Sequence, residues 1–468
     1  MIYKLTTLLI LLNVCIGMIV YPFKTAYVNK NGEINQDSKE YNYVHFMNDY
    51  YDRLLYTTMK IGNSPQEIKV ILTYQDCGFK IGKANKCVND EAYLSHYNRN
   101  NSLDFSYTDY YTYPLTEFGD KGCSAQDTIY SYTDMNLNNY KNFQNIGFYL
   151  GSDTNDLICG VIGFKMDKFG YYCPNITNII RSFKSNDIIS NYNWILKYNT
   201  FDEGLLIFGS SMNEVIPNYD EKKLFTINSR FIGGQYPWSF NIDEIIVGDN
   251  DKTIISKEMW IEIENDFSFL LGNNDYKTYI YGAYFKQYFD QNICKENTWE
   301  YSTYNKYLII ECDKEYFEKE QINNFPSISF VSKELGTKIQ LKNNELFTET
   351  KYKIFFNIIF PYYGGSKWIL GRVFLQKYPV MFNLDANTIQ IYNKGEEENN
   401  NGNYNESSGT KTLLLVLGII VLVVIIGILG YFLGKNLNKI RKKKANELTD
   451  DEYDYTSKED NIQNNSSL

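Results

Sequence analysis

The sequence predicts an all-β protein, and two observations carry that prediction. Short apolar and aromatic runs recur from Tyr51 onward, separated by Asn, Asp, Gly and Ser at short intervals; examples are Tyr56–Ile61, Ile68–Leu72, Gly204–Gly209, Trp238–Val247 and Lys306–Cys312. One arrangement also occurs twice. An apolar triplet runs into a polar loop, and an apolar-apolar-Gly triplet follows much later in the chain. The first copy is Val70-Ile71-Leu72 before Thr73, with Val161-Ile162-Gly163. The second is read as Phe269-Leu270-Leu271 before Gly272-Asn273-Asn274-Asp275, with Ile369-Leu370-Gly371. Sustained helical period is scarce, with Met212–Val215 and Tyr284–Asp290 the better short candidates.

Composition agrees with this reading. The 468 residues are 44% hydrophobic and include 43 Tyr and 29 Phe, residues at home in strands. A net charge of −10, with no basic domain before residue 435, argues against nucleic acid as a partner. Only His45 and His96 are present and no Cys-x-x-Cys occurs, so no metal site or cofactor is expected.

In chain order, residues 1–17 have the form of a signal peptide: Lys4, an apolar run from Leu8 to Val14, then small residues at a cleavage site after Gly17. Residues 18–50 show no clear period and are read as an N-terminal arm. Near the other end, Leu413–Leu433 is an unbroken apolar run of 21 residues, enough to cross a bilayer at 1.5 Å per residue. Lys435, Lys439, Arg441, Lys442, Lys443 and Lys444 follow it, which puts the C-terminus in the cytoplasm. The expectation is a single-pass type I membrane protein: spanning helix 412–434, tail 435–468, and an ectodomain that is luminal or extracellular, at the cell surface or on a secretory or endolysosomal membrane. The stretch 394–411, rich in Asn, Glu and Ser, is a polar stalk. Asn100, Asn175 and Asn405 head glycosylation triplets. Seven cysteines follow the signal peptide, and that compartment favours disulfides.

Ile61–Ile81 holds the strand that organises the first copy. A turn at Gly62-Asn63-Ser64-Pro65 leads into Ile68–Leu72 and then into Thr73-Tyr74-Gln75-Asp76-Cys77-Gly78. This order resembles the first active-site strand of pepsin-like aspartic proteases, where Asp-Thr-Gly-Ser follows the strand. Further pieces resemble the same family in the same order: Gly204-Leu205-Leu206-Ile207-Phe208-Gly209, Trp238–Gly248, Cys312 with Phe325-Pro326-Ser327-Ile328-Ser329-Phe330, and Trp368-Ile369-Leu370-Gly371-Arg372-Val373-Phe374-Leu375. The resemblance implies a bilobal fold with a central cleft, an N-terminal lobe over 51–219 and a C-terminal lobe over 220–393. It also implies disulfides Cys77–Cys87 and Cys294–Cys312, and leaves the pairing of Cys123, Cys159 and Cys173 open.

The family's chemistry needs two carboxylates that share one proton, one acting as base on water while the other acts as acid. Thr73 stands at the first aspartate's place, and the second is read at Gly272. Arg372 replaces the aspartate that follows the family's closing Leu-Gly. No catalytic residue is therefore expected, and the reading is a peptide- or protein-binding pseudoprotease. Its cleft would be lined by Thr73, Tyr74, Gln75, Gly272, Asn273, Asn274 and Arg372, with a flap tyrosine among Tyr107, Tyr110 and Tyr111. Two rivals stand beside it: an active endopeptidase with a displaced dyad, Asp76 and Asp275, and a structural or adhesive surface glycoprotein.

Overall fold

The computed structural model describes residues 17–27, 36–51, 53–74, 78–82, 102–104, 106–109, 122–151, 160–164, 178–230, 238–248, 252–254, 259–300 and 305–394. The chain divides into two compact units, Met1–Gly395 and Glu396–Leu468, and all described residues belong to the first. The signal segment up to residue 16, most of the stalk, the 412–434 run and the tail lie outside the described residues. So do Gln75, Asp76, Cys77, Cys87, Tyr110, Tyr111, Cys159, Cys173 and all three glycosylation asparagines. Among the described residues no helix is long and apolar enough to cross a membrane.

The first unit is mostly β, as its period-two burial predicts. In the strand Gln66–Thr73, Ile68, Val70 and Leu72 are buried while Glu67, Lys69, Ile71 and Thr73 face the other side. This strand pairs antiparallel with Arg53–Ile61 and parallel with Gly160–Gly163. The sheet that contains it has 13 strands and draws on both halves of the sequence, because Leu224–Asn228, Val380–Asn383 and Thr388–Tyr392 join it at one end. A second sheet of nine strands belongs to the C-terminal half, backed by a four-stranded sheet that includes Glu244–Val247 and Ile328–Ser332. Buried residues of the N-terminal half, the junction and the space between the two C-terminal sheets form one continuous core.

The arm, read from sequence as aperiodic, is structured at both ends. Ile19–Tyr27 is an inner strand, antiparallel to Glu203–Phe208 on one side and to Arg53–Ile61 on the other. Its alternation of apolar and polar residues is broken by Pro22, which removes one donor and masks the period. Tyr43–Tyr51 is a helix, and with Tyr41 it lays Phe46 and Met47 on the outer face of the nine-stranded sheet. Phe46 stacks on Phe355 at 4.1 Å, the Tyr43 amide donates to Glu311 Oε2 at 2.9 Å, and Trp299 Nε1 donates to Asn48 Oδ1 at 3.2 Å. The expected Cys294–Cys312 disulfide is present and joins two paired strands. The helix at Met212–Val215 is also present, whereas the chain over Tyr281–Phe285 makes a wide π-type turn before the helix Lys286–Asp290.

Candidate functional site

The two copies meet at the junction of the halves, and their strand registers identify equivalent residues. In the first copy Val70, Ile71, Leu72 and Thr73 pair in parallel with Gly160, Val161, Ile162 and Gly163. In the second, Ile261, Glu262 and Ile263 pair in parallel with Trp368, Ile369 and Leu370, so the next step sets Glu264 against Gly371. Backbone bonds repeat the match. The Gly163 amide donates to the carbonyl of Gly78, five residues past Thr73, and the Gly371 amide donates to that of Phe269, five past Glu264.

Glu264 is therefore the counterpart of Thr73, and the second loop is Glu264-Asn265-Asp266. This corrects the reading of Gly272 at that place. Leu270–Leu271 is a separate short strand that pairs with Trp368–Leu370 and Ile358–Pro361. Gly272 closes it, and a Cβ there would come within 2.7 Å of Ile358 and Phe360. Asn273 is the buried N-cap of the helix Asn274–Ile280, while Asn274 and Asp275 are exposed on its first turn. None of these four shares the register of Thr73. The sequence misled because Glu262 and Glu264 interrupt the apolar run of the true strand, whereas Phe269-Leu270-Leu271 imitates one.

Gly371 shows why the pattern ends in glycine. A Cβ on it would lie 2.0 Å from the Phe267 carbonyl oxygen and 2.2 Å from that of Phe269. Only a bare backbone lets the crossing strand pass this close to the loop.

The two loops are tied to each other across the junction. Asp266 Oδ2 accepts from Thr73 Oγ1 at 2.8 Å and from the Tyr74 amide at 2.7 Å. Asn265 Nδ2 donates to the Leu72 carbonyl at 3.1 Å, and Trp238 Nε1 donates to the Phe164 carbonyl at 3.0 Å. Beneath these bonds Tyr74 packs among Phe164, Trp194 and Phe382, with Trp238 against Trp194 and Phe382. Arg372, expected to line a cleft, is instead buried, with its Nε donating to the Asn265 carbonyl at 2.7 Å. Tyr74 is likewise a buried anchor and not an open wall. Tyr107 sits in the strand Ser106–Asp109, which pairs with Gly122–Tyr132.

The electrostatics are lopsided. Glu262, Glu264 and Asp266 alternate along one backbone stretch, and Lys367 pairs with Glu262 at 3.0 Å. Burial first, then the charges of Glu262 and Asp266, push the Glu264 carboxyl up to about 8, with Lys367 opposing the shift. Glu264 thus keeps its proton at neutral pH. Burial, reinforced by Tyr198, Asp266 and Glu264, holds the Tyr74 hydroxyl far above the usual phenol range, so it stays neutral as well.

A sequence model of the eukaryotic aspartyl protease family matches residues 55–394. The chain belongs to that family. The match spans the strand Arg53–Ile61 from its third residue, both crossing loops and the closing strand Thr388–Tyr392. No individually curated protein matches the chain. Among the described residues of this family member, no group of three or more His, Cys, Asp or Glu is arranged to hold a metal ion.

Proposed function

We propose that this family member uses the cleft between its lobes to bind an extended peptide or protein segment without cleaving it. The observation that carries the reading is Thr73 at the register position of the first loop, its hydroxyl donated to Asp266. Hydrolysis by an aspartic dyad requires a carboxylate on each side of the attacked carbonyl. A hydroxyl that donates to a neighbouring carboxyl group supplies neither a base nor a matched acid. Strand addition through backbone hydrogen bonds needs no such group. We further propose that residues 412–434 anchor the protein in a membrane with the lobes on the luminal or extracellular side.

The test is incubation of the purified full-length chain with unfolded polypeptide substrates from pH 3 to 7. No pepstatin-sensitive cleavage is expected, and turnover that pepstatin blocks would overturn the reading.

One observation favours a second reading, an active hydrolase. Glu264 and Asp266 form a carboxyl pair in the second loop, and the environment drives Glu264 to hold a proton beside Asp266. If cleavage occurs and Glu264→Gln abolishes it, this reading replaces the first. The earlier candidate pair fares worse, since Asp275 is exposed on a helix outside the register of either loop. Asp76 lies outside the described residues.

A further inference from the structure

The triplet Asn100-Asn101-Ser102 has the form of a glycosylation acceptor, and its third residue has a place in the fold that the form does not disclose. Ser102 is only 9% exposed, and both roles of its hydroxyl are taken. The hydroxyl donates to Asp127 Oδ1 at 2.8 Å and accepts from the Asn63 amide at 3.1 Å. Asp127 is fully buried in the strand Gly122–Tyr132, where the same carboxyl oxygen also accepts from the Thr128 amide at 2.7 Å. The next two residues are held as well. The Leu103 amide donates to Asn63 Oδ1 at 3.0 Å, and Thr128 Oγ1 donates to Asp104 Oδ2 at 2.6 Å. Residues 102–104 are thus fastened to the turn at Gly62-Asn63 on one side and to Asp127-Thr128 on the other. The seat is close, since a Cβ on Gly62 would lie 3.2 Å from Ser102 Cβ and Oγ.

We propose that Asn100 accepts a glycan only until Ser102 docks, so that the modification belongs to the unfolded chain and the folded protein is not a substrate there. In the transfer the Asn100 amide nitrogen bonds to the anomeric carbon of a sugar carried on a lipid pyrophosphate. The bond between that carbon and the pyrophosphate oxygen breaks, the lipid pyrophosphate leaves, and the amide gives up one proton. Transferases of this kind select the triplet by its third-residue hydroxyl as well as by its asparagine, so the hydroxyl must reach the enzyme. Here it is committed to Asp127. Asn100 itself lies outside the described residues, and the restriction is set by Ser102. Presenting the hydroxyl breaks its bond to a buried carboxyl and withdraws Leu103 and Asp104 from their partners in the same movement. Loss of one hydrogen bond to such a group corresponds to roughly a ten- to hundredfold fall in the open population. The bonds of Leu103 and Asp104 add to it. The inference takes the luminal side of the lobes from the proposed topology, but its readout on purified protein depends on neither that topology nor the binding reading.

The test presents the full-length chain, made without glycans in a bacterial host and folded, to a purified oligosaccharyltransferase with a lipid-pyrophosphate-linked oligosaccharide. Occupancy of Asn100 is followed by mass spectrometry, beside a synthetic peptide of residues 95–107 that has no fold to open. The folded chain is expected to react at least about a hundredfold more slowly than the peptide. Asn63→Ala removes the acceptor of the Leu103 amide and is expected to raise the folded chain's rate severalfold, with far-UV circular dichroism unchanged. Equal rates for the folded chain and the peptide overturn the proposal. So does a peptide that accepts no glycan, because the triplet is then no acceptor. An unchanged rate in folded Asn63→Ala overturns it as well. Should Asn63→Ala fail to fold, Thr128→Val decides. It removes the donor to Asp104 and must raise the rate in the same way, and an unmoved rate overturns the proposal.

Discussion

At the scale of single residues, Glu264 carries a consequence for stability. Its folded-state proton affinity lies above the ordinary carboxylate value, so the folded chain binds more protons than the unfolded one between roughly pH 4.5 and 8. Stability is therefore greatest below that window and falls as pH rises through it. Glu264→Gln should flatten this dependence, raising the melting temperature at pH 8 while changing it little at pH 4; thermal unfolding at several pH values checks this. Thr73 supports a second prediction. Restoring a carboxylate with Thr73→Asp sets it against Asp266 and removes the hydroxyl donor. The expected result is a lower melting temperature and no pepstatin-sensitive cleavage, whereas recovered cleavage would show that Thr73 alone silences the site. The two positions were unequally legible. Thr73 could be read because Ile68–Leu72 kept its apolar alternation and the Pro65-Gln66 turn. Glu264 could not, because its strand had exchanged apolar residues for Glu262 and Glu264 and its loop glycine for Asp266.

At the scale of elements, the crossing strands were legible because each apolar run ends in a glycine, and Gly371 marks where a backbone passes too close for a side chain. Gly371→Ala is expected to abolish soluble expression, since a methyl group 2.0 Å from a carbonyl oxygen leaves no local adjustment. The helix Tyr43–Tyr51 was not legible, because among its residues of described burial only Phe46 and Met47 are fully buried, and no apolar stripe repeats along the sequence. Its hold comes from aromatic stacking on the nine-stranded sheet. Phe46→Ala should cost about 3–5 kcal/mol, in line with truncation of a buried phenylalanine. It should also expose the backbone of residues 43–51 to hydrogen exchange before the rest of the lobe. Equal exchange in mutant and wild type would mean that the helix is held by its polar bonds to Glu311 and Trp299.

At the scale of the whole molecule, the doubled strand-and-loop arrangement appeared in the sequence as a repeat, but the way its two halves are joined did not. The 13-stranded sheet takes strands from both halves of the chain, and one of its inner strands is the segment Ile19–Tyr27, which looked like a loose arm. Ile19, Val20, Tyr21 and Phe23 are all buried, and the strand bonds to neighbours on both sides, Arg53–Ile61 on one and Glu203–Phe208 on the other. An edge strand can be lost with modest damage, but removing an inner one leaves two ladders of backbone donors and acceptors without partners beneath an apolar core. A chain beginning at residue 28 is accordingly expected to aggregate or remain unfolded, as judged by far-UV circular dichroism and size-exclusion chromatography. A cut introduced between residues 28 and 35 should behave differently. Ile19–Tyr27 is held by its own pairing and the helix by its own packing, so both pieces should co-elute after cleavage under native conditions. Release of the N-terminal fragment on cutting would mean that the strand is retained only by its covalent tether, and the joint between the halves would have to be sought in the contacts of Asn265, Asp266 and Trp238 and in the pairing of Val380–Asn383 with Asn193–Tyr198.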